Sequence, residues 1–345
     1  MDTTLPAELF GNGVIAAPMA GGPSSPELAA AVGRAGGLGF LAGGLKAPEA
    51  LEAELATLDG ASVDRSVGLR PFGVNLFVPN TDDIDRNAVL AYRDRLQPEA
   101  SSVGAAVPEP RWADDDAFPA KLDLLLTRPP AVVSFTFGTP RWDTVAALRR
   151  AGSFVIQTVT GAEEATVAAA LGVDALVVQH PDAGGHSAAF LGLPAFAGTL
   201  PQLVDAVRGV VDLPLIAAGG IGSPDDAAAA RAAGAAAVQV GTAFLRTPEA
   251  GTNPVHRAAL ASPDFTRTAQ TRAFSGRWAR GLENGFMRRL ADAPAGYPVI
   301  HHLTAPLRAA SVRAGSPDRT SLWAGTAWGA AREEPAADVV GRFAG

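Results

Sequence analysis

"LPLIAAGGIGSPDDAAAARAAGAAAVQVGTAF", residues 213–244, is the stretch that decides the fold. A short apolar run breaks at Gly219-Gly220-Ile221-Gly222. An alanine-rich segment headed by Ser223 and Pro224 follows, and a second apolar run ends in Gly241-Thr242. Strand, glycine turn, helix and strand in this order form a parallel β-α-β unit. Both strands are apolar throughout rather than alternating, as expected of strands buried on two faces.

The same pattern recurs outward from this unit. Further apolar runs occur at 14–19, 38–43, 72–78, 132–138, 154–159 and 175–180, most of them followed by a helical segment. Eight such strands fit a closed (β/α)8 TIM barrel, while an open doubly wound sheet shares the periodicity and stays open as an alternative. Residues 79–130 read as a polar insertion after the third strand. Residues 244–345 must hold the eighth helix and a cover. The expected organisation is therefore α/β: a barrel core over 1–245, and a smaller, mainly helical covering segment over 246–345 whose last helices return to the barrel.

The bulk composition excludes several classes. The chain has 345 residues, and single α/β barrels exceed roughly 200, so no second independent core is required. Hydrophobic residues make up 48% and charged residues 18%, enough apolar side chain for a large core. A net charge of −7 with no long basic run argues against nucleic acid and anionic membranes as partners. The absence of cysteine removes disulfides, thiolate metal sites and cysteine nucleophiles. "MDTTLPAELF" (1–10) is no secretory signal, and the most apolar stretch carries Arg34 and six glycines, so the reading is of a cytoplasmic protein. A homodimer is compatible with the sequence and not specified by it.

Three features point to a ligand. Gly219, Gly220 and Gly222 at a helix start, with Gly241 and Thr242 after the eighth strand, suit a phosphate held by backbone N–H groups, though the glycines would equally serve turns and packing. A dinucleotide is disfavoured, because Gln239 and Val240 stand where a ribose-binding acid belongs. Asn75, Gln179 and Gln239 lie at strand ends, where a polar amide needs a partner. Finally, "VVQHPDAGGHSAAF" (177–190) places His180, Asp182 and His186 on one loop. That trio imitates an iron-binding facial triad, but no other ligand spacing accompanies it. His180 reads as structural, and Asp182 as a turn cap.

Taken together, "APMAGG" (17–22), "GVNLF" (73–77), "QHPDAGGH" (179–186), "AAGGIG" (217–222), "VQVGTAF" (238–244), "AFSGRWARG" (273–281) and "SLWAGTAWGAAREEPAADVV" (321–340) resemble the FMN-dependent nitronate monooxygenases, formerly 2-nitropropane dioxygenases. The likeness is to the group with a histidine after Ala-Gly-Gly. It implies FMN at the barrel mouth under a helical cover, with a nitronate substrate and dioxygen. Met19, Asn75, Gln179 and Gly184 would lie along the flavin. Gly219, Gly220, Gln239, Val240, Gly241 and Thr242 would hold the ribityl phosphate. His186 would be the catalytic residue, either as an imidazolium binding the nitronate oxygen or as a neutral base. Two departures stand out: Ser187-Ala188 where the family often has a basic residue and glycine, and Thr326 where it often has glutamine. Neither is expected to touch the flavin ligands. An FMN-dependent enoyl-acyl-carrier-protein reductase using NAD(P)H, which shares the Ala-Gly-Gly-His stretch, is the alternative.

Overall fold

The computed structural model describes residues 4–62, 71–79, 83–192 and 195–345. Residues 80–82 of the expected insertion lie outside them. Eight parallel strands run β1 (Val14–Ala16), β2 (Gly39–Ala42), β3 (Phe72–Phe77), β4 (Val132–Thr136), β5 (Phe154–Val159), β6 (Ala175–Gln179), β8 (Leu215–Ala218) and β9 (Ala237–Val240). From β2 onward each pairs with the next, and β9 pairs with β1. The ring closes where Leu38 N–H donates to Val14 O (2.9 Å) and Ala16 N–H donates to Leu38 O (3.0 Å). It is the TIM barrel rather than the open sheet.

Strand side chains alternate between two cores. Val155, Leu176, Val178 and Ala217 face the surrounding helices. Ile15, Ile156, Val177 and Ile216 fill the interior, with Phe10 among them. The helices start where the sequence places caps. Ser25 Oγ accepts from Leu28 N–H, and capping boxes open the helices Leu200–Arg208 and Pro224–Ala232.

The eighth barrel helix, Ala336–Phe343, arrives only after a long excursion. It buries Val339, Val340 and Phe343 in the barrel's outer core. The chain between β9 and this helix builds the cover. β10 (Thr268–Thr271), β11 (Ala279–Leu282) and β7 (Gly185–His186) form a three-stranded antiparallel sheet. A second core gathers Phe274, Phe286, Ile300 and Leu303 with Val89, Tyr92 and Leu96. The stretch 79–130 therefore divides. Helix Arg86–Ser101 joins the cover, whereas helix Phe118–Thr127 buries Leu125 against the barrel. We propose to count the first part with the cover. No helix of the described residues is long and apolar enough to cross a membrane.

Candidate active site

The inward strand positions change character toward the carboxyl end. On β5 they run from Ile156 to Thr158, on β6 from Val177 to Gln179, and on β9 from Ala237 to Gln239. The lower residues belong to the apolar interior. Thr136, Thr158, Gln179 and Gln239, with Asn75, line a cavity of about 270 Å³. A polar ring at this end is where barrel proteins hold ligands. Met19, Gly184, His186, Gly219, Gly220, Val240, Gly241 and Thr242 line the same cavity, so the structure brings to one place every residue to which the family resemblance gives a flavin or catalytic role, whereas Gly222, His180 and Asp182 lie outside its lining.

Asn75 is buried, and its orientation is fixed by its neighbours. Nδ2 donates to Ser134 O (3.2 Å), Ser134 Oγ (2.9 Å) and Thr136 Oγ1 (2.9 Å). Since the Ser134 carbonyl can only accept, the amide nitrogen faces it and Oδ1 faces the cavity. No donor among the described residues reaches Oδ1. Gln179 lines the cavity with both ends of its amide engaged. Its Nε2 donates to His186 O (3.1 Å) and its Oε1 accepts from Ala188 N–H (2.8 Å). Both ends brace the histidine loop.

The glycines also divide by cause. Gly219 and Gly220 have φ of 104° and 75°, and a Cβ on Gly219 would lie 2.8 Å from His180 O. Gly241 has an ordinary φ of −113°, and a Cβ there would meet Ala17 Cβ at 3.4 Å, leaving its other side open to the cavity. Two others are required by packing. A Cβ on Gly184 would sit 2.6 Å from the Ala324–Gly325 backbone, and one on Gly222 would sit 2.5 Å from Ala327 Cβ. The N–H of Gly222 is also taken by Asp226 Oδ2 (3.0 Å). Thr242 Oγ1 accepts from Gly325 N–H (3.0 Å), which ties the C-terminal motif to the turn. Thr326 lies against Gly220, its Oγ1 3.7 Å from where a Cβ on that glycine would stand, and its N–H donates to Asp182 O (3.0 Å).

The two loop histidines have opposite fates. His180 Nε2–H donates to Gly198 O (2.8 Å), and Nδ1 accepts from Asp182 N–H (3.2 Å), so the ring is wholly structural. Asp182 turns its carboxylate to His180 (3.3 Å), not to His186. The three groups of the imagined facial triad therefore do not converge. His186 instead sits in β7, paired with Ala279 of the cover. Its Nε2 is 2.8 Å from Ser275 Oγ, and Nδ1 meets no partner among the described residues. Ser275 Oγ donates to Arg277 O (3.2 Å) and accepts from Arg277 N–H (3.3 Å). With the hydroxyl proton so used, Nε2–H is the donor and the Nδ1 lone pair is left open.

Burial lowers the pKa of His186 to about 3, and the Arg277 and Arg308 charges push it the same way. Burial thus favours the neutral ring over the imidazolium in the free protein. Arg277 Nε donates to Ser187 O (2.9 Å), and its Nη2 donates to Ala189 O, stitching the loop to the cover. The Arg277 guanidinium lies 4.2 Å over the Phe137 ring. Phe137 packs edge-on against His186 with 5.7 Å between centroids, and its φ of 77° is rare for an aromatic residue.

Sequence reasoning missed the cover's contribution. Ser275, His301, Arg308 and Trp323 line the cavity, and Trp323 packs 5.4 Å from the His186 ring. Ser275 and Trp323 lie inside quoted motifs without an assigned role. His301 and Arg308 sit on an ordinary amphipathic helix, where nothing local marks them. His302, next to His301, pairs with Asp114 (2.5 Å) and faces elsewhere.

Fold and site define a TIM-barrel protein with a ligand cavity at the strand carboxyl ends, roofed by a second layer. A family model described as nitronate monooxygenase matches residues 6–343. A nitronate monooxygenase of Pseudomonas aeruginosa is 39% identical over 342 residues, covering 95% of this chain and 93% of that protein. The structure of nitroalkane oxidase from Streptomyces ansochromogenes superposes with a TM-score of 0.91 at 44% identity, covering 98% of this chain and 96% of that one. FabK from Thermotoga maritima follows at 0.72 and 25%, covering 97% and 93%. The chain belongs to the nitronate monooxygenase family, and with it to the oxidoreductases.

Proposed function

We propose that the protein is an FMN-dependent oxidoreductase that converts alkyl nitronates, propionate 3-nitronate the type, with dioxygen to a carbonyl product and nitrite. The observation that carries this reading is the His186 ring, its Nδ1 unengaged, in a cavity ringed on the barrel side by amides, hydroxyls and glycine backbone. These residues fit FMN. Asn75 Oδ1 would accept from the flavin's ring N–H. The backbone at Gly219, Gly220, Gly241 and Thr242 would hold the phosphate, with Gln239, Val240 and Met19 alongside. FMN, when bound, supplies the electron sink that oxidation of a carbanion needs.

The chain's own residues select the substrate's ionisation state. Burial makes the imidazole a weak base for a carbon acid, which favours a substrate that arrives ionised over a neutral nitroalkane. A nitronate arrives already ionised. Proton exchange with solvent before the substrate enters can place the imidazole proton on Nδ1 instead of Nε2; the Ser275 hydroxyl, turned from Arg277 O, would then donate to the bare Nε2, and Nδ1–H would donate to the nitronate oxygen. The ring stays neutral throughout. The cover and loop exclude bulk water from this contact. FMN-loaded protein given propionate 3-nitronate in air should consume dioxygen and release nitrite. FMN-loaded protein that releases no nitrite would refute the proposal.

A further inference from the structure

The loop that carries His186 has open space on two sides. One side is the ligand cavity. The other is a second cavity of about 1020 Å³, and Phe137, Gln179, Ala183, Gly185 and His186 line both. Leu191, at the far end of the loop, is exposed. A segment flanked in this way takes little of its placement from packing, so polar ties must supply the rest.

Three side chains supply those ties. Gln179 holds His186 O and Ala188 N–H, and Arg277 donates to Ser187 O and Ala189 O. The third is Glu164, which lines neither cavity. It lies in the first turn of helix Ala162–Ala170 and is fully buried. Its Oε2 accepts from Thr160 N–H (2.7 Å) and from the Thr160 hydroxyl (2.9 Å). Its Oε1 accepts from Phe190 N–H (2.6 Å) and Leu191 N–H (3.0 Å). Four donors on two oxygens mark the group as a carboxylate. All four are backbone or hydroxyl groups, and no Lys, Arg or His among the described residues pairs with it. A buried anion without a cation is costly. Charge-assisted hydrogen bonds and the positive end of its own helix offset that cost. A local helix cap would need Oε2 alone. Oε1 instead reaches a segment 26 residues further along the chain.

Arg277 and Glu164 meet on one peptide group. The Ala189 carbonyl and the Phe190 N–H belong to the same amide; Arg277 takes its oxygen and Glu164 takes its hydrogen. A cation at the oxygen and an anion at the hydrogen both align with the dipole of that amide, so each bond strengthens the other. The two charges form an ion pair with a peptide group between them.

We infer that Glu164 is a positioning residue for His186: together with Arg277 it clamps the Ala189–Phe190 peptide and so holds the loop with its imidazole at the ligand cavity. The inference rests on the nitronate reading for what the imidazole does there, and Glu164 itself touches neither substrate nor cofactor.

The test follows two readouts on FMN-loaded protein: nitrite release from propionate 3-nitronate, and hydrogen–deuterium exchange of residues 183–192. Glu164→Gln keeps one acceptor oxygen for the loop, and Glu164→Ala keeps none. Loop exchange should quicken from wild type to Glu164→Gln to Glu164→Ala. Over the same series kcat should fall, by about tenfold or more in Glu164→Ala, as for a misplaced catalytic group. KM and FMN content should change little. Arg277→Met should cost at least about threefold less in the Glu164→Ala background than in wild type, because the clamp is already open. A carboxylate that only stabilises the fold predicts independent losses that multiply, and that result overturns the inference. Wild-type kcat despite a loosened loop, a loss confined to KM or to FMN content, or unchanged loop exchange in the variants would overturn it too. Should Glu164→Ala fail to fold, Glu164→Gln carries the same comparisons. If loaded wild type releases no nitrite the nitronate reading falls, while loop exchange still decides whether the clamp exists.

Discussion

The two walls of the cavity are built on different principles. The barrel wall is neutral and made largely of backbone: glycines at β8 and β9, and amides and hydroxyls at the other strand ends. The cover wall carries side-chain chemistry: Ser275 on the imidazole, and His301 and Arg308 in the lining. His186 belongs to both, following β6 in sequence while pairing with β11 in space. The difference teaches a division of labour. The barrel would hold the cofactor, and the cover would set the hydrogen bonding of the imidazole that meets the substrate.

The largest expected effect falls on the residue shared by the two walls. His186→Ala should lower kcat on a nitronate by about 10²–10³, the usual loss of a positioned donor, with FMN retained. His186→Asn, which keeps a donor near the Nδ1 position, should recover part of that loss on nitronates and none on a neutral nitroalkane. Parallel steady-state kinetics on the two substrates decide it, and equal recovery on both would mean that His186 acts as a base.

A smaller effect is expected at the barrel wall. Gly241→Val puts its branches where only the cavity is open, at a backbone φ that valine accepts. FMN affinity, measured by fluorescence titration, should fall at least about tenfold, while thermal stability of the FMN-free protein changes little. Unchanged affinity would move the phosphate away from β9.

The smallest change is expected from pH. Because His186 is lowered to about 3, kcat/KM for a nitronate should be flat between pH 5 and 8, with no inflection near 6.5. Stability should still respond. His186 and His256, the latter lowered to about 4, fold with fewer protons than the unfolded chain binds below pH 6.5. Their contribution is present above 6.5 and is lost as pH falls toward 4. Melting temperatures of the FMN-free protein across that range check the sign.

Legibility in the sequence follows the same division. Parallel strands buried on both faces read as apolar runs, so all eight barrel strands are visible there, and β5 spans Phe154–Val159 as read. The glycine breaks and polar strand ends mark the mouth, because a Gly or Asn inside an apolar run has few structural excuses. The eighth helix has no fixed place in the sequence pattern, since the cover is inserted between it and β9. The cover's site residues are hidden for a related reason: Arg308 is an ordinary helical arginine until the fold brings it to the cavity. Gln179 and Gly184 carry a second task that the sequence does not show: both line the cavity, and in addition one braces the histidine loop and the other makes room for Ala324 and Gly325.

The most direct test of the central claim is an anaerobic absorbance spectrum of the FMN-loaded protein before and after adding propionate 3-nitronate. Loss of the flavin's visible band, with recovery on admitting air, is the result expected if the barrel wall holds FMN against the substrate brought in by the cover. A band that stays unchanged at saturating nitronate would contradict it.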